Sequence, residues 1–266
     1  MTDALRPRKA VILAGGFGTR LTEETVLKPK PMVEIGEHPI LWHIMKIYSH
    51  YGINDFVICL GYKGGYIKDY FVSYLWQQSS ITIDLQKADI VYHNARPENW
   101  RVSLVDTGAD VPTGERLRRT ANFLEPDRPF CLTYGDGVAD IDIGASIDFH
   151  MKHGKLATIA AVTPPGRFGA LRIGAGDIVA DFEEKPVGDG GMINGGFMVM
   201  SPKVFNYLDP AAPAMLEQGP LERMARDNQL MAYRHKGFWQ PMDTLRDLQK
   251  LQKLWTDGEA PWKVWG

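Results

Sequence analysis

The run Lys9-Ala-Val-Ile-Leu-Ala-Gly-Gly-Phe-Gly-Thr-Arg-Leu21, with Lys28-Pro-Lys-Pro31 close behind it, limits what this chain can fold into more than any other feature. An apolar run that breaks into glycines reads as a buried strand delivering a loop. Gly15, Gly16 and Gly18 carry no side chains, so successive backbone N–H groups can approach an anion closely, while Arg20, Lys28 and Lys30 supply countercharge. The pattern predicts a cradle for a nucleoside triphosphate. A Walker A loop would need Gly, four residues, then Gly-Lys-Ser/Thr, and nothing of that spacing follows Gly15. A dinucleotide fingerprint would need a glycine three positions after Gly18, where Leu21 stands. Both the P-loop and the NAD readings are excluded.

With 266 residues, 44% of them apolar, the chain can bury the core of one large α/β domain. Its formal net charge of −2 argues against a nucleic-acid partner, since counterion release from a polyanion needs a dense basic face. The cations are local, which suits a small anionic ligand. Cys59 and Cys131 lie in the apolar runs Phe-Val-Ile-Cys-Leu and Pro-Phe-Cys-Leu-Thr, so both are expected to be buried thiols. Without a signal-peptide pattern or a membrane-length apolar segment, a cytoplasmic location with no membrane partner is expected. We also expect a homo-oligomer.

Strand-like runs at Ala10–Leu13, Asp55–Leu60 and Phe130–Tyr134 alternate with helical patterns at about 39–51 and 64–75, the signature of a parallel sheet wrapped by helices. Ile81–Tyr92 and Arg101–Val105 are expected as further strands, and Gly114–Leu124 as a helix. Arg116, Arg118 and Arg119 on that helix read as a solvated face, with Arg116 alone weighed as a phosphate contact. His43 and His50 read as surface or satisfied residues. From Met151 onward, short strands with proline and glycine turns suggest an antiparallel addition to the sheet, followed by a final helix over Asp243–Trp255 with a leucine face. The parts at about 9–150 and 151–266 are expected to serve the nucleotide and the sugar phosphate within a single domain.

Asp136, in Tyr134-Gly-Asp-Gly-Val138, falls at the carboxyl end of an expected central strand, where open α/β sheets bind ligands. A carboxylate there suits Mg2+, which is held by one or two carboxylates plus phosphates and water; an Asx turn is the plain structural alternative. Asp243 is a second carboxylate, and its place before a leucine-periodic run also makes it a helix N-cap candidate. Glu184-Lys185-Pro186 could be a solvated turn, or an acceptor for hydroxyls beside a cation for a sugar phosphate. Asn194-Gly-Gly196 could offer an amide to the same sugar.

These motifs, in this order, resemble the sugar-phosphate nucleotidylyltransferases over nearly the full chain. Longer segments are similar to the branch of that family that uses CTP and α-D-glucose 1-phosphate: Thr22-Glu-Glu-Thr-Val-Leu-Lys-Pro-Lys-Pro-Met-Val-Glu-Ile-Gly36, Pro39-Ile-Leu-Trp-His-Ile-Met-Lys46, Tyr134-Gly-Asp-Gly-Val-Ala-Asp140, Pro164-Pro-Gly-Arg-Phe-Gly-Ala-Leu171 and Gly237-Phe-Trp-Gln-Pro-Met-Asp-Thr-Leu-Arg-Asp247. The resemblance implies a Rossmann-like, mostly parallel α/β sheet flanked by helices, GT-A-like, with an antiparallel sugar-binding addition. It implies Gly15 and Gly16 against the nucleotide, Thr19 and Arg20 on the triphosphate, and Lys30 bridging the reacting phosphates. Asp136 and Asp243 match the family's Mg2+ carboxylates, Glu184 and Lys185 its sugar-phosphate pair, and Gly169 and Asn194 are expected near the hexose. Lys28 lies outside the family pattern.

Overall fold

The computed structural model describes residues 5–16, 28–94, 97–164 and 191–266, and the backbone alone of 170–173 and 179–183. Its strands are β1 (Lys9–Leu13), β2 (Glu34–Ile35), β3 (His38–Pro39), β4 (Asp55–Leu60), β5 (Ser80–Asp84), β6 (Asp89–His93), β7 (Arg101–Asp106), β8 (Phe130–Tyr134), β9 (Gly137–Ala139), β10 (Ala157–Val162), β11 (Ala170–Ile173), β12 (Val179–Glu183), β13 (Ile193–Met200), β14 (Leu230–His235) and β15 (Trp239–Pro241). Seven of them form one mixed sheet in the order β14-β10-β13-β8-β1-β4-β7. The pairs β1–β4, β1–β8, β4–β7 and β10–β14 are parallel, and β13 runs antiparallel to both of its neighbours. The mostly parallel sheet with an antiparallel insertion is therefore as expected.

Strand period two sorts the core onto both faces of this sheet. Ala10 and Ile12 join the cluster containing Ile40, Ile44, Ile47 and Tyr48 of the helix Ile40–His50. Val11 and Leu13 join the opposite cluster, with Leu117, Phe130 and Leu132. Cys59 and Cys131 are fully buried free thiols, and burial pushes the Cys59 thiol up to about 12, so neither is poised for chemistry. Among the described residues no helix is long and apolar enough to cross a membrane.

Two expected elements differ. Ile81–Tyr92 is a hairpin, β5–β6, because Asp84 Oδ1 accepts from the N–H groups of Gln86 and Lys87, each at 3.0 Å, and turns the chain. The helix expected over Gly114–Leu124 spans Thr113–Arg119 and gives way to a 3-10 turn at Ala121–Phe123. On that helix Arg118 and Arg119 face solvent in part, as expected, but they are tied down there. Arg118 and Arg119 grip the buried Glu115 carboxylate at 2.6 and 2.8 Å, and the Arg118 hydrogen bond, reinforced by Arg119, holds it down to about 2. Arg116 turns inward.

His43 is a satisfied core residue. Its Nδ1 accepts from Trp262 Nε1 at 3.3 Å, so the proton sits on Nε2 and is donated to the Ile35 carbonyl at 2.9 Å. Burial pulls its pKa down to about 4, against 6.5 for an ordinary histidine. The unfolded chain therefore binds a proton at His43 between about pH 6.5 and 4 that the folded chain refuses, and stability falls as pH drops through that window. The loss from this one group is roughly 1.4 kcal/mol per pH unit. Replacing His43 with Gln, which cannot titrate, should flatten the decline of Tm below pH 6.5; an unaltered pH slope would sink this assignment.

Candidate active site

The carboxyl ends of β1, β4 and β8 align, because Leu13 pairs with Cys59 on one side and Tyr134 on the other. The glycine turn at 15–16, Gly61 and Gly135-Asp136 thus emerge at one edge of the sheet. A cleft of about 460 Å³ opens there, lined among others by Gly15, Gly16, Lys30, Arg116, Asp136 and Asp243. Sequence positions more than two hundred residues apart meet in it. The apposition needs tight backbone: a Cβ at Gly61 would lie 2.5 Å from the Gly15 carbonyl oxygen.

Asp136 and Asp243 are brought together by the small ladder β9–β15, which pairs Gly137 with Pro241, and by Met242 donating its N–H to the Asp136 carbonyl at 2.8 Å. Lys30 reaches in from the 3-10 turn Lys30–Met32. Its ammonium donates to Asp136 Oδ2 at 2.8 Å and to Asp243 Oδ1 at 2.7 Å. Burial alone would depress Lys30; the charges and hydrogen bonds of the two carboxylates outweigh it and hold the ammonium above the ordinary lysine value. Lys30 is therefore a cation at any physiological pH.

The structure separates Asp243 from the helix cap considered for it. The cap of the helix Leu245–Thr256 is Thr244, whose hydroxyl accepts from Asp247 N at 3.2 Å while Asp247 Oδ2 accepts from Thr244 N at 2.9 Å. This reciprocal box stands one residue beyond Asp243 and leaves its carboxylate directed at Lys30. Lys28 pairs instead with the exposed Glu34 at 3.0 Å, outside the cleft lining.

Arg116 is 3% exposed, and its terminal nitrogens are engaged by protein acceptors. Nη1 donates to Gly108 O at 2.7 Å and Thr107 Oγ1 at 2.9 Å, with Leu60 O at 3.2 Å; Nη2 donates to Ala109 O at 2.9 Å and Gly15 O at 3.0 Å. The guanidinium ties the glycine turn to the ends of β4 and β7. A phosphate would meet it only at the expense of these bonds, so the geometry favours a clamp of the cleft floor over the phosphate contact weighed from the sequence.

A smaller recess of about 50 Å³ adjoins the cleft, sharing Tyr134 and Asp136 and adding Asn194, Gly195 and Trp239. Asn194 points its amide at the Tyr134 hydroxyl, 3.5 Å away, and accepts from Gly196 N at 2.8 Å. Tyr134 in turn donates to Glu217, whose other oxygen accepts from Thr113 at 2.9 Å. Burial first, then the Glu217 carboxylate, raise the Tyr134 phenol well above its usual value. Glu217 was not anticipated. It sits in the irregular stretch before the helix Pro220–Arg226, with neither motif nor periodicity to mark it. Thr19, Arg20, Gly169, Glu184 and Lys185 lie outside the described residues.

The model of the nucleotidyl transferase family matches residues 9–257 of the chain. The glucose-1-phosphate cytidylyltransferases of Salmonella typhimurium and Salmonella typhi are each 58% identical to it over 257 residues, covering 97% of this chain and 99% of theirs. Among solved structures, HddC from Yersinia pseudotuberculosis superposes with a TM-score of 0.66 at 24% identity, covering 93% of this chain and 99% of that one. That likeness concerns the fold.

Proposed function

This chain belongs to the nucleotidyl transferase family, and from that premise we propose that it converts CTP and α-D-glucose 1-phosphate to CDP-glucose and pyrophosphate. The observation that carries the choice of substrates is the 58% identity over nearly the whole of both chains to proteins bearing that activity in their names. The cleft supplies the chemical logic.

A sugar-phosphate oxygen attacks the α-phosphorus of CTP, the bond to the bridging oxygen breaks, and pyrophosphate leaves with the electron pair. The attacking oxygen is already ionised, so no general base is required. Repulsion between the reactants is the obstacle: two unit charges about 4 Å apart oppose each other by about 4 kcal/mol at an effective dielectric near 20. Catalysis is then positioning and neutralisation, as in phosphoryl transfer generally. Gly15 and Gly16 present backbone to the nucleotide, and Lys30 brings a permanent positive charge. In this proposal Thr19 and Arg20 serve the triphosphate, Lys185 the sugar phosphate, and Glu184, Gly169 and Asn194 the hexose.

Mg2+ fits the site. Asp136 and Asp243 already converge on a single cationic atom, the Lys30 ammonium. Two carboxylates completed by phosphates and water are what Mg2+ favours. Bound there, it would neutralise phosphate charge. We place the reaction in the cytoplasm and in a homo-oligomer.

Pyrophosphate release measured across CTP, dTTP and UTP, each with glucose 1-phosphate and other hexose 1-phosphates, tests the substrates. The CTP and glucose 1-phosphate pair should give the largest kcat/KM, and a preference for dTTP or UTP would overturn the base assignment. For the metal carboxylates, Asp243→Asn should leave Tm within a few degrees of wild type, since the cap belongs to Thr244, yet raise the Mg2+ concentration needed for half-maximal rate at least tenfold. An unchanged Mg2+ requirement in an active variant would remove Asp243 from the metal.

A further inference from the structure

We infer that Lys30 is an exchangeable cation: without nucleotide its ammonium holds the position between Asp136 and Asp243, and it yields that position to a divalent ion only when a nucleotide phosphate takes the ammonium in turn. The inference rests on the proposed metal role of the two carboxylates. Its basis is the geometry of the cluster. One Nζ lies 2.7 and 2.8 Å from one oxygen of each carboxylate, so the point on which they converge is filled by the protein itself. A metal ion and an ammonium cannot share it.

The ammonium has somewhere to go within the same cleft. Lys30 lines it together with Gly15 and Gly16, so a phosphate held at the glycine turn offers a replacement anion. The backbone need not move. Lys30 is flanked by Pro29 and Pro31, whose rings fix φ, in a short 3-10 turn, and the lysine stem supplies the rotatable bonds. Displacing the ammonium without an anion to receive it would strand a charge whose side chain is only 11% exposed. A metal arriving alone is therefore resisted, whereas a metal arriving with a nucleotide is admitted. Because coupling of two binding events is reciprocal, the metal must also tighten the nucleotide.

The test uses Mn2+ as the probe, with free ion read by electron paramagnetic resonance and bound ion by calorimetry, on the full chain without nucleotide. Wild type should bind Mn2+ weakly. Lys30→Met removes the competing cation and should bind Mn2+ at least tenfold more tightly, and Mn2+ should raise its Tm by several degrees at a concentration that leaves wild type unmoved. Lys30→Gln keeps a donor but no charge, and it should shift in the same direction if the methionine variant does not fold. Affinity for Mn2+ no higher in either folded variant than in wild type would overturn the exchange. A parallel titration with CTP present separates the premise: Asp243→Asn should lower Mn2+ affinity of the CTP complex, and failure there would bring down the metal assignment itself, whatever Lys30 does.

Discussion

Replacing Lys30 with Ala is expected to lower kcat for pyrophosphate release by about 10²–10³-fold while changing KM for CTP much less, the signature of a charge that acts chiefly as negative charge is redistributed in the transition state. The fall should persist at saturating Mg2+. Tighter metal binding in such a variant does not restore the rate, because the lost ammonium is the cation meant to follow the phosphates. Steady-state kinetics with both substrates varied decides it. A rise in KM for CTP with kcat intact would reduce Lys30 to a binding residue.

Loss of the Arg116 clamp should show first in stability. Arg116→Met withdraws the donors that join Gly15, Leu60, Gly108 and Ala109, a change of about 3 kcal/mol, or roughly 6–12 °C in Tm. Arg116→Lys keeps the charge but reaches fewer acceptors and should fall between. Scanning calorimetry of both variants measures the effect, and kinetics at a temperature where they are folded measures what remains. If Tm stayed at the wild-type value while KM for CTP rose steeply, Arg116 would be a phosphate ligand and the clamp a minor role.

Much of this was legible in the amino-acid order, for physical reasons. The strands β1, β4 and β8 announce themselves because a sheet covered on both faces demands unbroken apolar runs. Gly15, Lys30 and Asp136 are legible because glycine turns and strand-end carboxylates are local signals. Asp243 shows the limit of such signals. Its local context, a polar residue before a leucine-periodic helix, fits a cap as well as a metal carboxylate. Only the β9–β15 ladder, a tertiary fact, turns its side chain towards Lys30. Arg116 fails in the other direction. Three arginines on a short helix look solvated, and nothing in the string of letters reveals that four carbonyls await one of them. Glu217 is invisible for a similar reason, since its partners Tyr134 and Thr113 are 83 and 104 residues away.

The ladder that joins Gly137 to Pro241 has one more consequence, for the order of events during synthesis. Residues 30 and 136 leave the ribosome well before residue 243, so the strands β1, β4 and β8 can pair while the cleft still lacks its second carboxylate. A nascent chain can thus hold much of its central sheet and none of its chemistry. Competence arrives only once Trp239–Pro241 has paired with Gly137–Ala139, and the same segment brings Met242, Leu248, Leu251 and Trp262 to the core beside β1, so the second carboxylate and the closing of that core come together.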